Sequence, residues 1–300
     1  MTYSLLILGT GALATLFAAR LSLAGVDVTM LGSWPQGLAA LNKEGARLDG
    51  AAGLRVRATA NPLDCLRMKH ALVLVKAWQT ERAAHQLASC LAEDGLAVTL
   101  QNGLGNDDIL AGILGWSRVG RGITTLGATL LAPGQVHLGG EGTVVLEAHP
   151  HLLELEEMLR VARFDLRTVP DAQPLAWGKL VINAAINPLT ALLRVKNGAV
   201  LENPAALTLM GELACEAASV AKAIGVALPF QDPGKAAQEV ARHSNDNLSS
   251  MLQDILRGTR TEVDAINGKV VQMGTKLNVP VTLNRAMWLL IKAISLRGKI

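Results

Sequence analysis

Apolar and polar positions change their period partway along the chain. Tyr3–Leu8 (YSLLIL) is an almost continuous apolar run ending at Gly9, the pattern of a strand buried on both faces of a parallel sheet. Leu13–Ala24 is apolar and helix-favouring and is stopped by Gly25, and Val26–Leu31 (VDVTML) then reads as a second strand, so the opening stretch predicts a βαβ unit. Ala71–Val75 and Leu96–Leu100 are two further buried-strand candidates, each followed by a polar or glycine-bearing turn and a helical segment; this alternation predicts a parallel, doubly wound sheet. Between Arg118 and Glu147 the pattern shortens to strand-like pieces separated by Pro133-Gly134 and Gly139-Gly140, expected to finish the first domain. Pro170 and Pro174 bracket a polar connector, which places the domain boundary between residues 1–170 and 171–300. Beyond it the windows Leu175–Leu193, Pro204–Ile224, Pro233–Arg242, Leu248–Leu256, Thr259–Leu277 and Asn284–Leu296 are all helix-like. Within the fifth of these, Val263, Ile266, Val270, Met273 and Leu277 form a single apolar stripe at helical spacing. The expected fold class is therefore α/β, an N-terminal Rossmann doubly wound sheet followed by an all-helical C-terminal domain.

Composition narrows the class. Three hundred residues agree with two domains of roughly 150 each. Half the residues are hydrophobic, which excludes disorder, but aromatics are only 3%, so Ala, Leu, Val and Ile must build the core. Apolar stretches break well before the ~20 residues a bilayer crossing needs, and no basic segment precedes the first of them; a soluble, cytoplasmic protein is expected, with no membrane partner. A formal net charge of +3 with no cluster of basic residues gives no footprint for nucleic acid, so any anionic ligand should be small. Cys65, Cys90 and Cys215 are far apart with no CxxC spacing and read as small buried or semi-buried thiols. The six histidines form no metal set, His149-Pro150-His151 reads as a turn, and no metal is expected.

Candidate chemistry begins at Gly9-Thr10-Gly11-Ala12-Leu13-Ala14. The GxGxxA spacing follows a buried strand and opens a helix, the context in which it binds a dinucleotide. Gly9 permits the tight turn, Gly11 lets backbone approach a pyrophosphate, Ala14 keeps helix and strand close, and the helix start at Ala12 and Leu13 offers N–H groups and dipole. At the end of the second strand, where an acidic residue would hold the ribose of NAD, stands Leu31-Gly32-Ser33. A small residue there leans to NADP without deciding. Lys76 and Asn102 stand at the carboxyl ends of two further strands, where ligands of such sheets bind; each is equally well a helix cap or a turn residue.

The most informative stretch is Trp177–Thr190. Lys179, Asn183 and Asn187 recur every four residues and form one narrow polar stripe on an otherwise apolar helix, a placement that needs partners because an unsatisfied buried polar group costs several kcal/mol. The alternative, a solvated strip, is usually wider and more charged. Pro188 should kink this helix and conflict with the carbonyl of Ala184. Glu262 immediately precedes Val263 of the apolar stripe, and on spacing alone it reads as a surface carboxylate.

These motifs, taken in order, resemble the ketopantoate reductases. The resemblance is carried by Gly9-Thr10-Gly11-Ala12-Leu13, Lys76-Ala77-Trp78-Gln79, Asn102-Gly103-Leu104-Gly105, Lys179-Leu180 with Asn183, Ile186-Asn187-Pro188-Leu189-Thr190, Ser249-Ser250-Met251-Leu252-Gln253-Asp254, and Thr261-Glu262 with Ile266-Asn267-Gly268. It implies reduction of 2-dehydropantoate to pantoate with hydride from NADPH, on the way to pantothenate and coenzyme A. It implies Lys179 and Glu262 as catalytic residues, Asn183, Asn187, Asn197 and Ser250 as holders of the 2-keto acid, and Lys76 and Asn102 as servants of the cofactor. The family commonly carries an Arg where this chain has Gly32, which opens the site to NADH. A reductase of another branched 2-keto acid and a dinucleotide-binding sensor without turnover are the rival readings. The oligomeric state is left open, with a homodimer as the candidate assembly.

Overall fold

The computed structural model describes residues 3–65 and 67–295; Leu296, the end of the last predicted helix, lies outside the described residues. The chain divides into two compact units, one built from residues up to Gln101 with Gly105–Ala172, the other from Asn102–Leu104 with the residues from Gln173 onward.

The first unit holds the strands β1 (Ser4–Leu8), β2 (Asp27–Leu31), β3 (Arg47–Leu48), β4 (Arg57–Thr59), β5 (Met68–Val73), β6 (Leu91–Thr99), β7 (Val119–Thr124), β8 (Gly127–Ala132), β9 (Gln135–Gly140), β10 (Thr143–Glu147) and β11 (Asp165–Val169). Eight of them form one sheet in the order β4-β2-β1-β5-β6-β7-β10-β11, parallel throughout except where β10 runs against β7. β3, β9 and β8 form a separate small sheet. Alternation along β1 explains its unbroken apolar run: Leu5 and Ile7 pack into one core, Leu6 and Leu8 into another, and all four are fully buried. The first core takes α1 (Ala12–Leu23), whose Phe17 stacks on Phe164 at 4.4 Å between centroids; after α2 (Pro35–Glu44), the second takes α3 (Thr80–Cys90) and α4 (Asn106–Leu114). α5 (Leu153–Val161) returns to the first core through Leu155, Met158 and Leu159. The chain leaves β1 toward β2 and β4 on one side and toward β5, β6 and β7 on the other. Such a reversal opens a crevice beyond the carboxyl ends of β1 and β5.

The second unit is helical: α6 (Gln173–Leu193), α7 (Ala199–Glu202), α8 (Pro204–Ala223), α9 (Pro233–His243), α10 (Ser250–Leu256), α11 (Asn267–Lys276) and α12 (Thr282–Ser295). α6 is its axis, packing against α8, α9, α10 and α12. Asn203, Asp232 and Ser249 cap α8, α9 and α10 by accepting backbone N–H bonds, and Pro at the first helical position of α8 and α9 suits the same starts.

Two expectations are corrected. The helix predicted over Thr259–Leu277 begins only at Asn267, because the Thr261 hydroxyl accepts the Val263 N–H and Ile266 lies at φ −103°, ψ −92°, outside the helical region. Cys215 is exposed on α8, whereas Cys65 and Cys90 are buried. Burial pushes the Cys90 thiol up to about 11, which keeps it protonated and inert.

Candidate active site

In the first unit, the glycines after β1 divide into two kinds. Gly9 sits at φ +126°, and a Cβ there would stand 2.9 Å from the Leu74 carbonyl oxygen, so fold geometry alone demands glycine. Gly11 is exposed, and a Cβ there would meet nothing within 4 Å, so the chain's own packing places no demand on it. α1 starts beside that open space with no side-chain cap and no acidic residue in its first turn, and its first internal bond runs from Thr15 N–H to the Gly11 carbonyl. Ala12 and Leu13 are half-buried there, while Ala14 is fully buried. A positive helix end facing unfilled space fits a dinucleotide diphosphate.

At the end of β2, Gly32 donates its N–H to the Thr59 carbonyl at 3.0 Å, and a Cβ on it would come within 2.7 Å of the Thr10 methyl. Beyond β5, the Lys76 N–H is held by Gln79 Oε1, and the Gln79 N–H returns to the Lys76 carbonyl at 2.8 Å, so Lys76 opens a tight turn. Under that turn lies a polar floor that sequence reasoning missed. Gln101 Nε2 donates to the Val75 carbonyl at 2.8 Å and to the Thr80 hydroxyl at 2.9 Å, and that hydroxyl lies 2.9 Å from Asn106 Oδ1.

In the second unit, α6 carries the polar stripe. Lys179 and Asn183 are half-buried and Asn187 is buried, as is Thr190 one turn on, so this is no solvated strip. Burial pushes the Lys179 ammonium down to about 8, with the negative charge of Glu262 acting in the opposite direction. Glu262 is only 6% exposed and accepts a hydrogen bond from Asn102 Nδ2 at 3.3 Å. The surface reading of Glu262 is thus overturned: it stands at a bend leading into the turn of residues 263–266, not on a helix, and its carboxylate is buried. Asn102–Leu104 docks on the same turn, with Leu104 N–H donating to the Ala265 carbonyl at 3.3 Å. Gly103 is required there, since it has φ +85° and a Cβ would lie 2.5 Å from that same oxygen.

Ser250 is half-buried in the first turn of α10, directly after the buried cap Ser249, whose Oγ lies 2.7 Å from the Thr190 hydroxyl and so ties α10 to α6. Asn197 is buried and donates from Nδ2 to the Ser244 hydroxyl at 2.9 Å, while its Oδ1 finds no protein partner among the described residues. The second unit therefore brings together a cation of lowered basicity, a buried carboxylate and several amides, the equipment for binding a small polar anion and moving a proton. Lys76 and the glycine turn belong to the first unit.

Family models match most of the chain. The model for "Ketopantoate reductase PanE/ApbA" matches residues 5–151, and that for its C-terminal part matches residues 171–295. A 2-dehydropantoate 2-reductase of Archaeoglobus fulgidus is 39% identical over 295 residues, 96% of each chain. The crystal structure of a PanE/ApbA family ketopantoate reductase from Ralstonia eutropha superposes with a TM-score of 0.91 at 29% identity, over 98% of this chain and 99% of that one. D-mandelate dehydrogenase, solved with NADH and anilino(oxo)acetate, shares the fold at a TM-score of 0.92 and 21% identity, over 99% of this chain and 100% of that one. Among the described residues no helix is long and apolar enough to cross a membrane. The chain belongs to the ketopantoate reductase family.

Proposed function

We propose that this protein reduces 2-dehydropantoate to pantoate with hydride from NADPH, in the cytoplasm and on the way to pantothenate and coenzyme A. The observation that carries the reading is the buried carboxylate of Glu262 acting on Lys179, half-buried on the polar stripe of α6. The first unit is the dinucleotide-binding part, with Gly9, Gly11, Ala12, Leu13 and Lys76 around the cofactor; the second is the catalytic part. When bound, the reduced nicotinamide supplies hydride to the keto carbon. Lys179 polarises the keto oxygen and gives its proton to the forming alkoxide. Glu262 holds charge beside Lys179, and Asn102 orients Glu262 through the bond between them. Asn183, Asn187 and Ser250 hold the carboxylate and hydroxyl of the keto acid without adding a competing charge, and Asn197, anchored to the Ser244 hydroxyl, joins them.

A proton donor that titrates at about 8 fixes the sign of the pH dependence. Below that pH Lys179 is charged and reduction proceeds; above it kcat/KM falls by about tenfold per pH unit. A steady-state profile from pH 6 to 10 checks this, and a profile flat across the range contradicts the assignment.

Position 32 offers a test of cofactor preference. An Arg at position 32 would pair with a 2′-phosphate, but its Cβ must first displace the Thr10 methyl 2.7 Å away. Gly32→Arg together with Thr10→Ser is expected to lower the dissociation constant of NADPH relative to that of NADH, and to raise the NADPH-to-NADH ratio of kcat/KM, by about tenfold, and Gly32→Arg alone by less. An unchanged ratio in the double variant would place residue 32 away from the phosphate.

A further inference from the structure

Pro188 lies inside α6 and has no N–H, so the carbonyl of Ala184 lacks its helical donor. Ala184 is fully buried, and the missing bond comes from another helix: Asn267, the first residue of α11, donates from Nδ2 to that carbonyl at 2.9 Å. The second Nδ2 hydrogen goes to Asn284 Oδ1 at 3.0 Å. Asn284 passes the connection on, donating from its own Nδ2 to the Leu213 carbonyl at 3.1 Å and to Glu216 Oε2 at 3.0 Å. Glu216 in turn accepts the backbone N–H groups of Leu283 and Asn284 at the start of α12, both at 2.9 Å. Asn267 and Asn284 are 0% exposed, and Asn267 Oδ1 has no protein partner among the described residues. A buried unpaired amide oxygen costs stability. The site tolerates that cost while using both amide hydrogens, which points to donation as the function of this side chain.

The position of the bond gives it a consequence. Ala184 lies between Asn183 and Asn187 of the polar stripe, and Asn267 follows Glu262 by one short turn. We infer that Pro188 and Asn267 form a latch, in which the carbonyl freed by the proline is taken by the asparagine, and that Asn267 is a positioning residue holding the Glu262 turn against the Lys179–Asn183–Asn187 stripe. The catalytic consequence rests on the function proposed above; the latch itself does not.

A double-variant cycle separates the two. Pro188→Ala restores a helical N–H for Ala184, so Asn267→Ala is expected to lower the denaturation midpoint less in that background than in the parent protein. Catalysis should not recover with stability: Pro188→Ala/Asn267→Ala keeps kcat/KM for the 2-keto acid about tenfold or more below Pro188→Ala alone, with the NADPH dissociation constant unchanged. Equal losses of stability in both backgrounds would overturn the latch, and recovery of kcat/KM to the level of Pro188→Ala would reduce Asn267 to a structural role. If Asn267→Ala alone does not fold, Asn267→Ser, which keeps one donor, replaces it in both arms of the stability comparison; failure of the double variant to fold would also contradict the latch. If the parent protein showed no turnover of 2-dehydropantoate, the proposed function would fall while the stability coupling stood.

Discussion

Lys179→Ala is expected to lower turnover of 2-dehydropantoate by about a thousandfold or more, while NADPH binds with its normal dissociation constant. Reduction of a ketone places negative charge on an oxygen that must gain a proton, and alanine offers neither the charge nor the proton. The loss should appear in kcat as well as in kcat/KM, because the interaction strengthens as the alkoxide forms. Cofactor affinity should survive, since the glycine turn and Lys76 belong to the other unit of the chain. Steady-state kinetics together with a fluorescence titration of NADPH check both halves. Turnover within a few-fold of the parent would remove Lys179 from the chemistry.

Glu262→Gln should act through Lys179. Glutamine preserves the shape of the side chain and an oxygen for Asn102 Nδ2, but removes the charge that opposes the effect of burial on Lys179. The ammonium then loses its proton at lower pH than the value of about 8 in the parent, so less of the protein is competent near neutrality. Turnover at pH 7.5 is expected to fall by about tenfold to a hundredfold, with the descending limb of the pH profile moved to lower pH and the melting temperature nearly unchanged. Unchanged kinetics would leave Glu262 a structural residue; lower turnover with an unmoved limb would mean that Glu262 does not act through Lys179.

Much of this arrangement was legible in the sequence, for physical reasons that particular residues make plain. Leu5–Leu8 announces a doubly buried strand because its alternate residues feed two cores, so no polar position interrupts the run. The α6 stripe is legible because amides and an ammonium on an apolar helix are costly without a purpose. β3 and β4, two and three residues long, are too short to display any period. Spacing alone misplaces Glu262 at the surface because its burial depends on a turn, and that turn is braced by the Thr261 hydroxyl and by the docking of Asn102–Leu104, more than 150 positions earlier in the chain. Asn267 was noticed only as part of a motif. Its task depends on a carbonyl freed 83 positions earlier, a pairing that only the packed helices reveal. The Gln101–Thr80–Asn106 floor was missed for the same reason, since each residue alone reads as an ordinary turn or cap.

The reduction of 2-dehydropantoate is measured by incubating the purified protein with this acid and NADPH, following cofactor oxidation and quantifying pantoate formed, beside NADH and a small panel of other branched 2-keto acids. One pantoate per NADPH oxidised is expected, with a higher kcat/KM for 2-dehydropantoate than for any other acid in the panel. Silence with 2-dehydropantoate while another acid is reduced would contradict the assigned substrate, and silence with every acid despite NADPH binding would contradict catalysis itself.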